Sequence, residues 1–136
     1  MTRRIAIAAL LLAGCATTQA RDTVLGSDAL DALLTGNTIY IDVPAGGPMG
    51  DGGEMPLYYA ADGSVKARLP TGATMVGAYT IDGDRYCVDW DPAPTNSCTS
   101  IVRDEGGGLA FVDPDEGDER GTVTRIVPGD VESLGS

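Results

Sequence analysis

From Asn37 onward this chain is a succession of short runs rich in Tyr, Val, Ile and Thr, separated by clusters of Gly, Asp and Pro. That punctuation leaves little choice but consecutive antiparallel strands, because β-branched and aromatic side chains suit a pleated surface and the clusters reverse the chain. The spacing predicts strands over Thr38–Val43, Met55–Ala61, Ser64–Leu69, Thr74–Ile81, Arg85–Trp90, Ser97–Arg103, Leu109–Val112 and Thr122–Val127. Asp62-Gly63 and Asp82-Gly83 are strong hairpin turns, since glycine accepts the positive φ of a tight reversal. Pro44 to Gly53 reads as a glycine-rich loop, and Pro92 with Pro94 forces another. Alternation sets the faces: Tyr86, Val88 and Trp90 point one way while Arg85, Cys87 and Asp89 point the other. Tyr79 and Ile81 repeat the pattern on the preceding strand, and Trp90 is expected to be a core plug rather than a ligand platform. The fold class is therefore all-β, a small antiparallel meander of about 7–8 strands, barrel-like or a two-sheet sandwich.

One short helix precedes the strands. Ser27 is placed to act as its N-cap, with Asp28 and Asp31 early where the helix dipole favours negative charge. Leu30, Leu33 and Leu34 share a face, and Gly36 ends the helix in the C′ position. Two turns of helix are not stable alone, so this one must pack on the strands. The single β domain is expected over residues 27–130, with a flexible tail at 131–136.

The N-terminus has a different grammar. Arg3 and Arg4 precede an unbroken apolar run from Ile5 to Ala13, the layout of a secretion signal. The run is about half the ~20 residues a membrane-spanning helix requires. Leu12-Ala13-Gly14-Cys15 resembles the lipobox of bacterial lipoproteins. The resemblance implies cleavage before Cys15, diacylation of its thiol and acylation of the new amino group. Several acyl chains make a stable anchor where one is marginal. Ala16 implies export to the outer membrane of a Gram-negative envelope, with the body facing the periplasm. The alternative is cleavage after Ala20, following Thr18-Gln19-Ala20, which yields a soluble exported protein. Under the first reading residues 1–14 are the signal peptide and Cys15 to Gly26 a tether.

Charge and cysteine usage narrow the partners. Twenty acidic against nine basic residues give a net charge of −11, and losing Arg3 and Arg4 makes the body two units more negative. Such a surface repels phosphate backbones and anionic lipid, which argues against nucleic acid as a partner and favours cations and basic proteins. With Cys15 assigned to lipid, Cys87 and Cys98 remain as an even pair in an oxidising compartment, where a disulfide is expected. In the chain-entropy model a loop of that size is worth roughly 3 kcal/mol.

Catalytic constellations are missing. There is no histidine to serve a serine or cysteine as base, no G-x-S-x-G elbow, and no S-x-x-K before Lys66. The glycines at 46–53 are followed by neither Gly-Lys-Ser/Thr nor a helix, so no phosphate loop is expected. Asp113-Pro114-Asp115-Glu116-Gly117-Asp118-Glu119 offers hard oxygens for calcium. It lacks the glycine at the sixth position and the Glu at the twelfth, where Thr124 stands, so a solvated turn is expected instead. A paired-carboxylate glycosidase needs two acids held across a cleft, and nothing singles out two of the twenty. The expectation is a non-enzyme with no cofactor and no metal.

The body is similar to a group of small exported proteobacterial proteins. The similarity lies in Leu33-Leu34-Thr35-Gly36-Asn37-Thr38, in Tyr58-Tyr59-Ala60-Ala61-Asp62-Gly63, and in Gly77-Ala78-Tyr79 leading through Asp82-Gly83 to Cys87-Val88-Asp89-Trp90 and Cys98. It implies a compact β domain with one disulfide and brings no activity with it. The functional expectation is a lipid-anchored envelope protein that binds a partner or serves structurally. Two alternatives stand beside it: a barrel holding a small apolar ligand, and an acidic inhibitor of a basic envelope hydrolase such as lysozyme. Trp90, Tyr79 and Phe111 pointing inward would favour a filled barrel; small interior residues would favour a cavity.

Overall fold

The computed structural model describes residues 23–46, 51–91 and 95–134. The expected signal segment, Cys15, residues 47–50 of the glycine-rich loop and the Pro92–Pro94 segment lie outside the described residues. The elements run β1 (Thr23–Val24), α1 (Ser27–Leu34), β2 (Asn37–Val43), β3 (Gly53–Tyr59), β4 (Ser64–Arg68), β5 (Thr74–Asp82), β6 (Arg85–Asp91), β7 (Thr95–Arg103), β8 (Leu109–Val112) and β9 (Glu119–Pro128). Each predicted strand is present within a few residues of its expected ends. The largest gain is β9, which starts three residues before Thr122.

Strands β2 to β9 follow one another antiparallel, and β9 returns to pair with β2 from Asn37↔Pro128 to Asp42↔Thr122. The sheet is thus a closed eight-stranded up-and-down barrel, and the sandwich alternative is set aside. Closure leaves the eight strands few exposed ladder groups. One edge remains because β6 begins at Arg85 and leaves the C-terminal half of β7 unpaired on that side. β1 takes it, with Thr23 opposite Arg103, Val24 opposite Val102, and the Leu25 amide donating to the Ile101 carbonyl at 2.9 Å. The expected tether therefore ends sooner than Gly26: Thr23–Gly26 belong to the folded body, and Leu25 is buried.

The chain then turns under the barrel. Gly26, not Ser27, is the N-cap, and no side chain caps the helix. Leu30 and Leu34 are fully buried on the inner face of α1 and join Leu25, Ile39, Val65 and Ile101 in the core. Burying a leucine side chain is worth about 1.5–3 kcal/mol, which holds this otherwise marginal helix as a stopper on one end of the barrel. Gly36 at φ 80° completes the C-terminal turn as expected, and its amide donates to the Tyr59 carbonyl rather than back into the helix.

Two hairpins show how glycine sets register. Gly83 (φ 66°) is the first residue of a two-residue loop between Asp82 and Arg85, the place where a type II′ turn needs glycine. The β3–β4 loop is longer, Ala60 to Gly63, with the Asp62 carboxylate accepting from the Ser64 amide and hydroxyl at 2.9 and 2.7 Å. These bonds hold the Asp62 carboxyl below the usual carboxylate range. Cys87 and Cys98 stand directly opposite each other on β6 and β7 and are disulfide-bonded on the outer face. At the far end of the chain the expected flexible tail is, over Val131–Leu134, a strap. Glu132 accepts from the Tyr40 hydroxyl at 2.6 Å and pairs with Arg68 at 3.2 Å. The strap buries Thr38 and Tyr40 on the outside of β2, and Arg125 stacks 3.8 Å from the Tyr40 ring.

Candidate functional site at the open end of the barrel

The interior divides into a packed half and a hollow half. Next to α1, Tyr59 meets Tyr79 and Tyr86 edge-on at ring separations of 5.3 and 5.5 Å, and Tyr86 meets Phe111 at 6.2 Å. This aromatic layer fills the barrel cross-section. Above it lies a cavity of about 490 Å³, open at the end away from the helix and lined by Ile41, Val43, Leu57, Val88, Trp90 and Phe111, with Ser97, Thr99 and Arg120 on one wall. Its volume equals that of about 16 waters in the liquid, at ~30 Å³ each, far beyond a packing defect. It lies within the ~300–1,000 Å³ span of small-molecule sites.

The hollow exists because the residues lining the upper strands are smaller than those lining the lower ones. Ser97 and Thr99 on β7 face Val88 and Tyr86 on β6, where large apolar groups would close the space. Gly77 on β5 lies opposite Trp90; a methyl group at Gly77 would come within 2.8 Å of the Val88 side chain and the Asp89 carbonyl, and within 3.0 Å of the indole. The indole therefore packs against β5 at Gly77 and borders the cavity. Trp90 was expected to be a plug. It is half-buried at the cavity wall, so Tyr79 and Phe111 belong to the aromatic floor while Trp90 belongs to the rim.

Arg120 is the functional-site residue that sequence reasoning missed. β8 is four residues long, and its ladder with β7 starts only at Ser100↔Val112, so the stretch of β7 around Cys98 has no strand beside it there. The β8–β9 register shifts between Phe111 and Val112, making Arg120 the extra residue of a β-bulge, a feature that re-aims a side chain. Its guanidinium closes the seam. Nη1 donates to the Cys98 carbonyl at 2.6 Å, to Thr99 Oγ1 at 2.7 Å and to Ser97 Oγ at 3.3 Å, and Nη2 donates to Asp113 Oδ2 at 2.9 Å. Asp113 also accepts from the amides of Asp115 and Glu116. Those two bonds, with the Arg120 guanidinium, hold its carboxyl below the usual range. The first carboxylate of the acidic run is thus engaged by its own turn and by Arg120, and among the described residues no group of acids or cysteines gathers at a metal-binding spacing.

Polar atoms inside the cavity are few and linked. The Tyr59 and Tyr86 hydroxyls are 2.8 Å apart and buried, and Thr99, opposite Tyr86 on β7, accepts from Arg120 through its hydroxyl. Burial drives both phenols well above the ordinary tyrosine value, so they are neutral hydrogen-bonding groups and not bases. No helix among the described residues is long and apolar enough to cross a membrane. No protein-family model, curated protein or solved structure matches this chain. The site must be read from its own geometry.

Proposed function

We propose that this chain is a lipid-anchored, non-enzymatic protein of the bacterial cell envelope whose barrel binds a small apolar ligand. The observation carrying the reading is the 490 Å³ cavity with an apolar lining and an open mouth. An eight-stranded barrel is just wide enough either to be filled by its own side chains or to hold one small ligand, and here the upper half is unfilled. The anchor rests on Arg3, Arg4 and Leu12-Ala13-Gly14-Cys15. Thr23 enters at the α1 end of the barrel, opposite Arg103, so a lipid on Cys15 would place the mouth on the side away from the tether. Docking of a basic protein, a hydrolase included, is the second reading and rests on the net charge of −11.

Two experiments test this. Trp90 is the only tryptophan and stands at the cavity wall. Titration with the apolar dye N-phenylnaphthylamine should quench its emission saturably with one site per barrel, and a Ser97→Trp variant, which fills the lumen, should lose the site. Absence of saturable binding to the folded wild-type barrel would remove the ligand reading. For the anchor, Cys15→Ser should move the protein from the membrane fraction to the soluble one with its melt unchanged; continued membrane retention contradicts the lipobox.

A further inference from the structure

The cavity floor carries more information than its apolarity. Two buried hydroxyls, on Tyr59 and Tyr86, are joined by one hydrogen bond of 2.8 Å. Two hydroxyls hold two hydrogens, and the bond between them uses one. Whichever of the two donates, one O–H is left over, and both side chains line the cavity with Thr99 beside them. Arg120 does not compensate, because it too is a donor: its Nη1 points at Thr99 Oγ1. Water in the open lumen accepts from the leftover O–H, whereas a purely hydrocarbon occupant displaces that water and leaves a buried donor unpaired, at about 1–3 kcal/mol.

Resting on the ligand-binding reading, we infer that the ligand is an uncharged amphiphile carrying an acceptor oxygen, a ketone, ester or amide carbonyl. It enters head-first, with its carbonyl on the Tyr59–Tyr86 hydroxyl pair and its apolar part against Val88, Leu57 and Trp90. A carboxylate fits less well for three reasons. The one cation on the wall, Arg120, is already neutralised by Asp113 at 2.9 Å. Glu119 stands on the same wall. The whole molecule is strongly negative and repels an approaching anion.

Acetylnaphthalene, ethylnaphthalene and naphthoate share a ring and differ in the group offered to the floor. Calorimetric titration of the full-length protein should rank acetylnaphthalene about ten-fold above ethylnaphthalene, the factor for one neutral hydrogen bond, with naphthoate weakest. The Tyr59→Phe/Tyr86→Phe double variant keeps the ring packing and should bring acetylnaphthalene down toward ethylnaphthalene while leaving ethylnaphthalene bound; its thermal melt shows that the barrel is intact. Equal affinity of the ketone and the hydrocarbon in the wild type would overturn the inference and leave the apolar-cavity reading standing. Preference for naphthoate would overturn the uncharged head group. Failure of all three probes, together with failure of N-phenylnaphthylamine, would overturn the cavity reading itself.

Discussion

At the scale of single residues, Gly77 and Arg120 shape the site by opposite means. Gly77 contributes absence: the space its missing side chain leaves is taken by the Val88 methyl and the Trp90 indole. Its φ is not in the left-handed region, so the requirement is steric and not conformational. Gly77→Ala is expected to cost about 1–3 kcal/mol, the usual range for overpacking, lowering the melting temperature by roughly 4–15 °C. Trp90 emission should shift in the same variant as the indole is pushed from β5 into the lumen. An unchanged melt and spectrum would show that the strand relaxes around the methyl. Arg120 contributes reach, spanning from a bulge on β9 to the unpaired edge of β7. Nothing in Glu119-Arg120-Gly121 announces this, since in sequence it is one basic residue after an acidic turn.

At the scale of elements, the short pieces at the two ends of the described chain hold the barrel shut. β1 covers the edge β6 leaves open, and α1 stoppers the aromatic half with Leu30 and Leu34. The strap after β9 covers β2 through Glu132, Tyr40 and Arg68. The β6–β7 hairpin is stapled by Cys87–Cys98 across a sequence separation of 11. Reducing the disulfide releases the hairpin that carries Trp90, Ser97 and Thr99, three residues of the cavity wall. In the chain-entropy model this costs about 3 kcal/mol, so the melt should fall by several degrees, with weaker dye binding in the still-folded reduced protein. A melt unmoved by reductant would mean that the sheet alone fixes the hairpin.

At the scale of the whole molecule, the aromatic layer sets behaviour at high pH. Tyr59 and Tyr86 have folded values raised above the unfolded value of about 10. A raised value means that the folded state keeps protons the unfolded state gives up. The stability this supplies is therefore whole below about pH 10 and is lost as the pH climbs toward the folded values. Tyrosinate absorbance should accordingly rise in two stages, the later one coinciding with loss of the barrel's circular dichroism. In Tyr59→Phe/Tyr86→Phe the late stage should shrink to the contribution of Tyr40, which burial and Glu132 also raise, and unfolding should move to higher pH. A single early rise of all tyrosines with the fold intact would contradict the burial of this pair.

Much of the architecture is written locally. Period-two alternation in Arg85–Trp90, glycines at Gly36, Gly63 and Gly83, and leucines spaced along Ser27–Leu34 each act over a few residues, so strands, turns and helix could be read in order from the chain. The pairing of Cys87 with Cys98 was legible as well, once Cys15 was set aside as the expected lipid site. Closure was not. Whether β9 finds β2 depends on accumulated twist over eight strands, and the partners Asn37 and Pro128 share no local signal. The hollow was hidden for a related reason. Ser97, Thr99 and Gly77 read as ordinary strand residues, and only their convergence on one end of a closed barrel turns three small side chains into a volume. Sequence by itself determined the elements, their order and the covalent staple, because propensity, turn geometry and cysteine chemistry are local. Tertiary structure decided barrel over sandwich, the sealing role of Arg120 and the site, because enclosed volume and side-chain convergence belong to the assembled sheet alone.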